Sequence, residues 1–188
     1  MRATRMIRAT RPERSIRTER LLLRPAQAGD ASAIAEGLGD FEVTRWLARV
    51  PYPYSLEEAV RFLAWERAQR QIGEDRVFIV DRDGFLGLVS LRGRGHAPIL
   101  GYWLSRAHWG MGYMSEAVAA VLAEAFADPA VTAVHSGVFD GNLRSLSIQN
   151  RLGFEIEGRS MQHNLALGRD LDHIDTVLTR TRHGEFTT

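Results

Sequence analysis

The sequence contains no cysteine, and this absence excludes disulfide bonds, a thiol nucleophile and a zinc–thiolate site. Lysine is also absent because all 24 basic residues are arginine, which excludes a P-loop of the G-K-[ST] type and a Schiff-base lysine. No apolar run reaches the roughly 18 residues that a membrane-spanning helix needs. These absences are compatible with a cytoplasmic protein, and we expect neither a membrane partner nor a bound metal.

Acidic and basic residues are unevenly distributed along the 188 residues, a length that fits one domain with a sizeable core. Residues 1–20 hold seven arginines against two glutamates, whereas the remainder holds 17 arginines against 21 acidic residues. We therefore expect a flexible basic extension over 1–17 and a single domain over 18–183. Such an extension can bind nucleic acid or act as a mitochondrial-type presequence. The excess of acidic residues over 21–188, the acidic body of the chain, argues against nucleic acid as the main partner, and the two glutamates argue against a presequence.

Hydrophobic periodicity and capping signals predict three helices and four strands before residue 105. The helices are expected after the N-cap residue Asp30, over 41–50, and from the Ser55–Glu58 capping box to about Ile72. The strands are expected over 18–25, 76–81, 85–92 and 99–104. The last three are consecutive and joined by short turns, which indicates an antiparallel meander.

The second half of the chain predicts a β-α-β unit followed by another helix and two strands. Apolar residues from Met114 to Phe126 recur at helical spacing, and the next strand covers 131–139. Asn142 should cap a helix that ends at Gly153, and the closing strands are expected over 154–158 and 175–181. The fold class is therefore α+β, with a mixed central sheet built from the N-terminal meander and the β-α-β unit.

Two glycines, Gly110 and Gly112, stand immediately before the helix of the β-α-β unit. They are compatible with a tight turn or with a loop whose main-chain N–H groups approach a phosphate at the helix N-terminus. A dinucleotide-binding loop fits poorly, because Ser115 stands where the third glycine belongs and the strand 131–139 contains no acidic residue.

Four segments together resemble the GNAT superfamily of acyl-CoA N-acyltransferases, and within it the RimJ/RimL-like group of ribosomal-protein N-terminal acetyltransferases. They are T-E-R-L-L-L-R-P (18–25), G-Y-W-L-S (101–105) with W-G-M-G-Y-M-S-E-A (109–117), N-L-R-S (142–145) with R-L-G-F (151–154), and D-H-I-D (172–175). The resemblance implies a GNAT-like fold, acetyl-CoA as co-substrate, and direct transfer of its acetyl group to a primary amine in a ternary complex. A protein N-terminal α-amine is the acceptor that it favours.

The resemblance also implies which residues bind the coenzyme. The family loop [Q/R]-x-x-G-x-[G/A] falls on 109–114, where only Gly112 matches strictly while Trp109 and Met114 depart from it. Main-chain amides over 110–115 are expected at the pyrophosphate, and 102–104 are expected to pair with the pantetheine arm. The full set is Tyr102, Trp103, Leu104, Trp109, Gly110, Met111, Gly112, Tyr113, Met114, Ser115, Asn142 and Ser145.

Two catalytic roles follow from the same resemblance. The N–H of Leu104 is expected to polarise the acetyl carbonyl, and the Ser145 hydroxyl is expected to protonate the leaving thiolate. The family often carries a tyrosine acid four residues after Ser145 and a glutamate base on the preceding strand. This chain has Gln149 and Gly137 at those positions.

The general base therefore stays open. Deprotonating an α-amine at pH 7 costs only about 1–1.5 kcal/mol, so a weak base or a relayed water suffices. The candidate side chains are His135, Glu155, Glu157, His163 and Asp175, and the alternative is a water-relayed base or no base at all.

The acceptor also stays open. Trp46, Tyr52, Tyr54 and Trp65 lie in the segment that lines the acceptor site in this family, and the acidic body suits a cationic amine. The alternatives are a small-molecule amine such as a polyamine, an antibiotic or an amino-acid derivative, and a non-catalytic acyl-CoA-binding module. The protein is expected to be a monomer or a homodimer.

Overall fold

The computed structural model describes residues 15–73, 75–93 and 95–186. Across these ranges eight strands form one mixed sheet in the order β1-β2-β3-β4-β5-β6-β8-β7. The strands are β1 (Ile16–Arg17), β2 (Leu22–Pro25), β3 (Asp75–Asp81), β4 (Phe85–Arg92), β5 (Ile99–Leu104), β6 (Ala133–Phe139), β7 (Glu155–Asn164) and β8 (Arg169–Thr179). The α-helices are α1 (Ala31–Gly39), α2 (Phe41–Thr44), α3 (Leu56–Ile72), α4 (Tyr113–Phe126), α5 (Leu143–Arg151) and α6 (Arg180–Phe186).

The N-terminal half is the expected antiparallel meander, with β3, β4 and β5 paired in sequence order. The strand expected over 18–25 begins only at Leu22, because Thr18 forms a turn in which its N–H donates to the carbonyl of Leu21 at 3.0 Å. Before this turn, Ile16–Arg17 pair with β2. The extension expected over 1–17 therefore overlaps the strand β1 at its last two residues, and residues 1–14 lie outside the described ranges.

The helix α3 begins where its capping signal predicted, whereas the Asp30 side chain, expected to cap α1, makes no capping hydrogen bond to that helix. Ser55 and Glu58 form the expected reciprocal capping box at the start of α3. In contrast, α2 ends six residues earlier than expected, at Thr44. The main-chain carbonyls that follow accept hydrogen bonds from the β7–β8 turn, since Asn164 donates to Arg45 at 2.9 Å and Leu165 donates to Ala48 at 3.1 Å.

A partly buried ion pair joins β2 to the segment that leads into α1. The guanidinium of Arg24 binds both carboxylate oxygens of Asp30, at 2.7 and 2.9 Å, and its Nε binds Asp81 at 2.8 Å. The main-chain N–H of Gln27 also donates to Asp30, at 2.8 Å. Burial would raise the pKa of Asp30, but these hydrogen bonds outweigh it and lower that pKa.

The closing strands differ most from expectation. β7 and β8 extend well beyond 154–158 and start before 175, because they form a long hairpin whose outer part is mostly exposed and polar. The helix α6 was not expected and continues past the proposed domain end at 183. It starts at Arg180, whose guanidinium donates to the carbonyls of Phe126, Asp128 and Val131.

The core lies on both faces of the sheet. On one face α4 packs its expected apolar positions against the strands, and Ala117, Val118 and Val121 have no exposed surface. On the other face α1 and α3 cover a second cluster that includes Ile34, Leu63 and Leu88. Fully burying each large apolar side chain contributes about 1.5–3 kcal/mol, so both faces stabilise the sheet.

The sheet opens between β5 and β6. These strands are parallel, as the β-α-β unit predicts, but Ile99–His135 is their only registered pair among the described residues, whereas β4 and β5 share six. Beyond that pair the Ser136 hydroxyl donates to the carbonyl of Leu100 at 3.1 Å. The rest of both strands, towards Leu104 and Phe139, is therefore left without cross-strand pairing along the facing edges.

Candidate active site

A cleft of about 1210 Å³ passes through the opening between β5 and β6. Its lining includes the strand edges at Tyr102–Leu104 and Gly137–Phe139. The lining continues to the start of α4 and to α5 on one face of the sheet, and to Leu38, Trp46 and Phe62 on the other face. The cleft therefore has two mouths, one on each face of the sheet.

The main chain of β5 directs alternate N–H groups into this cleft. The N–H of Ser105 donates to the carbonyl of Leu86 on β4, at 2.9 Å. Since successive N–H groups of a strand point to opposite edges, those of Leu104 and Tyr102 point away from β4 and into the opening. The N–H of Trp103 points towards β4, so the structure does not bring this amide to the expected coenzyme site.

The loop before α4 has the conformation that its glycines allow. Gly110 and Gly112 have φ values of 77° and 78°, in the left-handed region. Gly112 is the N-cap, and the first helical hydrogen bond runs from the N–H of Glu116 to its carbonyl, at 3.1 Å. The N–H groups of residues 113–115 lack partners within the helix, which makes this end of α4 suitable for an anion.

Trp109 ties the glycine loop to the end of β5, because its indole N–H donates to the carbonyl of Leu104 at 2.9 Å. This contact gives a structural reason for the departure from the family pattern at 109. Met111 is half exposed at the tip of the loop, whereas Tyr113 and Met114 are buried in the core. The loop can therefore contact a ligand through main-chain atoms while these two side chains pack.

Glu116, in the first turn of α4, would repel an anion if it had no cationic partner. Its carboxylate instead accepts hydrogen bonds from the Thr18 hydroxyl and from Nε of Arg20, both at 2.6 Å. Arg20 also donates to the carbonyl of Met111 at 3.0 Å and so holds the loop. Burial would raise the pKa of Glu116, but the hydrogen bonds from Thr18 and Arg20 together lower it.

Two further arginines flank the mouth beside α4 and α5. The Arg144 guanidinium lies 5.0 Å from the Trp109 ring, and Arg151 donates to the Ser115 hydroxyl at 3.3 Å. Both line the cleft. We did not single out Arg20, Arg144 or Arg151 from the sequence, and the only signal was the position of each inside a family segment.

Ser145 forms a partly buried pair with a tyrosine from β5, Tyr102. Its hydroxyl lies 2.8 Å from the Tyr102 hydroxyl, which also donates to the main-chain carbonyl of Ser145 at 3.2 Å. Burial raises the pKa of Tyr102, so this phenol stays protonated as a donor. Asn142 accepts from the main-chain N–H of Ser145 at 3.3 Å and therefore acts as the helix N-cap.

Gln149 is a buried structural residue at the place where a tyrosine acid was considered. Its amide donates to the Ser136 hydroxyl at 3.0 Å and accepts from the Thr176 hydroxyl at 2.8 Å. Gln149 and Thr176 are each only 1% exposed. These bonds connect α5, β6 and β8 next to the point where β5 and β6 diverge.

The structure separates the candidate bases. Glu155 lies outside the cleft beside Arg182, and His163 lies outside it in an exposed pair with Asp170. His135 lines the cleft and pairs with Glu157 at 3.0 Å.

Asp175 also lines the cleft and accepts from Nδ1 of His173 at 2.8 Å. The sequence did not single out His173, although it stands in the D-H-I-D segment.

Only two of the four aromatic residues considered for the acceptor side line the cleft, namely Trp46 and Tyr54. Tyr52 packs on Phe41 with ring centroids 5.0 Å apart, and Trp65 lies mainly outside on α3. Burial raises the pKa of Tyr54 to about 12. Within the described ranges no group of three His, Cys, Asp or Glu is placed to hold a metal ion, and no helix has the length and apolarity to span a membrane.

Comparisons with known proteins identify the family. A model described as an acetyltransferase (GNAT) domain matches residues 20–155. An N-acetyltransferase named p20 from Bacillus licheniformis is 27% identical over 161 residues, which is 82% of this chain and 90% of that protein. The [ribosomal protein uS5]-alanine N-acetyltransferase of Escherichia coli (strain K12) is 34% identical over 89 residues, 47% of this chain and 46% of that protein.

The fold agrees with solved structures. Mycobacterium smegmatis RimJ, whose structure contains a CoA-disulfide, superposes with a TM-score of 0.76 at 21% identity, covering 85% of this chain and 81% of RimJ. The mixed sheet and its helices therefore form a GNAT fold, as the sequence predicted. Because the family model also matches most of its length, the chain belongs to the GNAT family of acetyltransferases.

Proposed function

We propose that this acetyltransferase moves the acetyl group of acetyl-CoA to a primary amine, with a protein N-terminal α-amine as the favoured acceptor. The observation that carries the proposal is the two-mouthed cleft between β5 and β6. One mouth has the free amides of α4, and unpaired N–H groups of β5 point into the cleft. Two substrates can therefore meet inside the sheet from opposite faces and react directly.

The mouth beside α4 and α5, which we call the coenzyme-side mouth, fits a pyrophosphate with a pantetheine arm. Left-handed glycines keep side chains off the amides of residues 110–115, and Glu116 is neutralised by Arg20. Arg144 and Arg151 add positive charge beside the loop. Acetyl-CoA supplies an activated thioester there, and the edge of β5 offers the hydrogen bonds that its extended arm can take.

The residues around the opening can supply two of the required catalytic functions. The N–H groups of Tyr102 and Leu104 point to where charge develops on the acetyl oxygen, as in an oxyanion hole. The Ser145 hydroxyl can donate a proton to the departing sulfur, and the Tyr102 hydroxyl holds it in place at 2.8 Å.

The acceptor-side mouth favours an amine that carries a negative or neutral group over a polyamine. Arg49, Arg61 and Arg92 line this mouth against one acidic residue of α3, Glu58. Burial and the nearby Arg49 lower the pKa of Arg92 in spite of the opposing effect of Asp75. Two neighbouring cations disfavour a polycation, so the acidic body of the chain is a poor guide to the acceptor. Relatives named for alanine acetylation of a ribosomal protein support a peptide α-amine.

Calorimetric titration with acetyl-CoA, with NADH as the comparison, tests the coenzyme assignment. Release of free thiol then tests the acceptor, with peptides that begin with alanine or serine measured against spermidine. We expect acetyl-CoA to bind while NADH gives no heat, and the peptides to release thiol faster than spermidine. Absence of acetyl-CoA binding would refute the proposed function, and faster reaction of spermidine would reassign the acceptor.

A further inference from the structure

His173 on β8 presents one free imidazole nitrogen to the cleft. Its Nδ1 lies 2.8 Å from the carboxylate of Asp175, which also accepts from the Ser160 hydroxyl at 3.1 Å. Because an ionised carboxylate only accepts hydrogen bonds, the proton belongs on Nδ1 and the lone pair on Nε2. Nε2 has no hydrogen-bond partner among residues 15–73, 75–93 and 95–186.

Gly137 on β6 keeps open the space that the imidazole fills. It pairs directly with Asp175 across the two strands. A Cβ atom at 137 would collide with Cε1 of His173 and lie 2.8 Å from the carbonyl of Ile174. The ring of Phe139 packs edge-on against the imidazole at 5.5 Å and limits its motion. The absent side chain on β6 is therefore replaced by an imidazole from β8.

His173 lies on the acceptor face of the sheet. Ser136 and Thr176 both bond to Gln149 of α5 and so face the coenzyme side. Since side chains alternate along a strand, Gly137, Asp175 and His173 face the opposite side, towards α1 and α3. An amine entering by that mouth would meet His173, while Ser145 approaches from the other face.

His173 is also at the correct level along the strands. Continuing the parallel register from Ile99–His135 places Tyr102–Leu104 level with 138–140, and His173 pairs with Phe139. The other imidazole of the cleft, His135, lies four residues before Phe139, or about 13 Å at 3.3 Å per residue. His173 is therefore level with the amides that face the acetyl group, whereas His135 is not.

We propose that His173 is the general base of the acetyl transfer and that Asp175 is its positioning residue. This inference rests on the proposed function. As the N–C bond forms, the amine nitrogen gives one proton to Nε2 of His173, and the C–S bond breaks with its electron pair on sulfur. Ser145 protonates that sulfur, and solvent returns the proton from His173 to Ser145 after the products leave.

The charged residues next to His173 in the register of β6, β7 and β8 are Asp140, Arg159, Asp172 and Asp175. Asp175 is the ionisable side chain in contact with it, and the pair formed by Arg159 of β7 and Asp140 at 3.7 Å is neutral overall. His173 can accept a proton only when its Nε2 carries none. With an alanine-initiated peptide, both the amine and His173 must lose a proton, so log(kcat/KM) should rise with a slope of about two at low pH.

The test compares the dependence of log(kcat/KM) on pH in His173→Gln and in the wild type, from low pH to the plateau. We expect kcat to fall about 10²–10⁴-fold and the slope to fall to about one, because the amine alone still titrates. Asp175→Asn should lower kcat less and leave KM for acetyl-CoA unchanged. The matched control is His163→Gln, which breaks another His–Asp pair at 2.7 Å outside the cleft and should behave as wild type.

Three results would overturn the assignment. One is a wild-type slope in His173→Gln, another is loss of the slope in His135→Gln instead, and the third is an acceptor-free NMR spectrum of labelled histidine that places the neutral proton on Nε2. Acetyl-CoA calorimetry separates this inference from the proposed function. His173→Gln should bind acetyl-CoA as the wild type does, whereas a wild-type protein that does not bind it contradicts the proposed function itself.

Discussion

Replacing Gln149 by alanine should be one of the most destabilising changes near the cleft. The substitution removes two hydrogen bonds, to Ser136 and from Thr176, each contributing about 1 kcal/mol. It also leaves the buried Thr176 hydroxyl without its acceptor and empties a site that is 1% exposed. Together these losses should lower the free energy of unfolding by about 3–4 kcal/mol.

Urea and thermal unfolding, followed by tryptophan fluorescence and circular dichroism, measure this loss. For a chain of this size it corresponds to a decrease in Tm of roughly 6–16 °C. Gln149→Leu keeps most of the volume and should cost about 1–3 kcal/mol, chiefly for the unpartnered hydroxyl. The control is Gln71→Ala on the exposed end of α3, which should change stability by less than about 0.5 kcal/mol.

The comparison of these variants can refute the reasoning. A loss below about 1 kcal/mol for Gln149→Ala would mean that the hydrogen bonds between α5, β6 and β8 contribute little to the stability of the fold next to the cleft. Equal losses for alanine and leucine would mean that the cavity contributes nothing and that the hydrogen bonds alone matter.

Three other predictions concern the loop, the acid and an ion pair. Gly112→Asp should weaken acetyl-CoA binding at least about tenfold in calorimetry, because it strains the turn and adds a negative charge at the N-terminus of α4. The control is Gly168→Asp, at another left-handed turn that lies outside the cleft, and it should leave acetyl-CoA binding unchanged. Tyr102→Phe should lower kcat about tenfold with KM for acetyl-CoA unchanged, since the Ser145 hydroxyl loses a hydrogen bond of about 1–1.5 kcal/mol; an unchanged kcat in steady-state assays would contradict this. Asp30→Asn should cost about 1–3 kcal/mol in urea unfolding at pH 7. Hydrogen bonds outweigh burial and lower the pKa of Asp30, so the ionised carboxylate stabilises the fold above its unfolded pKa of about 3.9. This stabilisation is lost as the pH falls through the pKa of Asp30 in the folded protein. A stability difference between wild type and Asp30→Asn that persists at still lower pH would contradict this account.

The sequence predicted those parts of the fold whose signals are local. The helix α4 follows from an uninterrupted apolar period after Gly112, and α3 follows from its capping box. The length of β7 and β8 could not be predicted, because residues 159–172 are mostly polar and exposed on both faces and have no period-two apolar pattern. The early end of α2 also depends on a partner, the turn at Asn164, which lies far away in the sequence.

The sequence predicted those parts of the candidate site whose residues stand together in a short motif. The glycine loop and Ser145 stand in short motifs, whereas the phenol that contacts Ser145 comes from 43 residues away. Gly137 looked like a missing base when it was considered alone. Its structural role is to leave space for the imidazole of His173. This role depends on the strand register, which places Asp175 opposite Gly137 and His173 diagonally across from it, and no local sequence pattern predicts that register.

The opening between β5 and β6 has a consequence for inhibitor design. A molecule that joins a coenzyme-like part to a peptide amine would have to thread the sheet from one face to the other. Its two parts would then bind as one ligand, with an effective concentration set by the short linker between them. Such a molecule would also tie together strand edges that share a single registered pair, so it should raise the melting temperature more than either half alone.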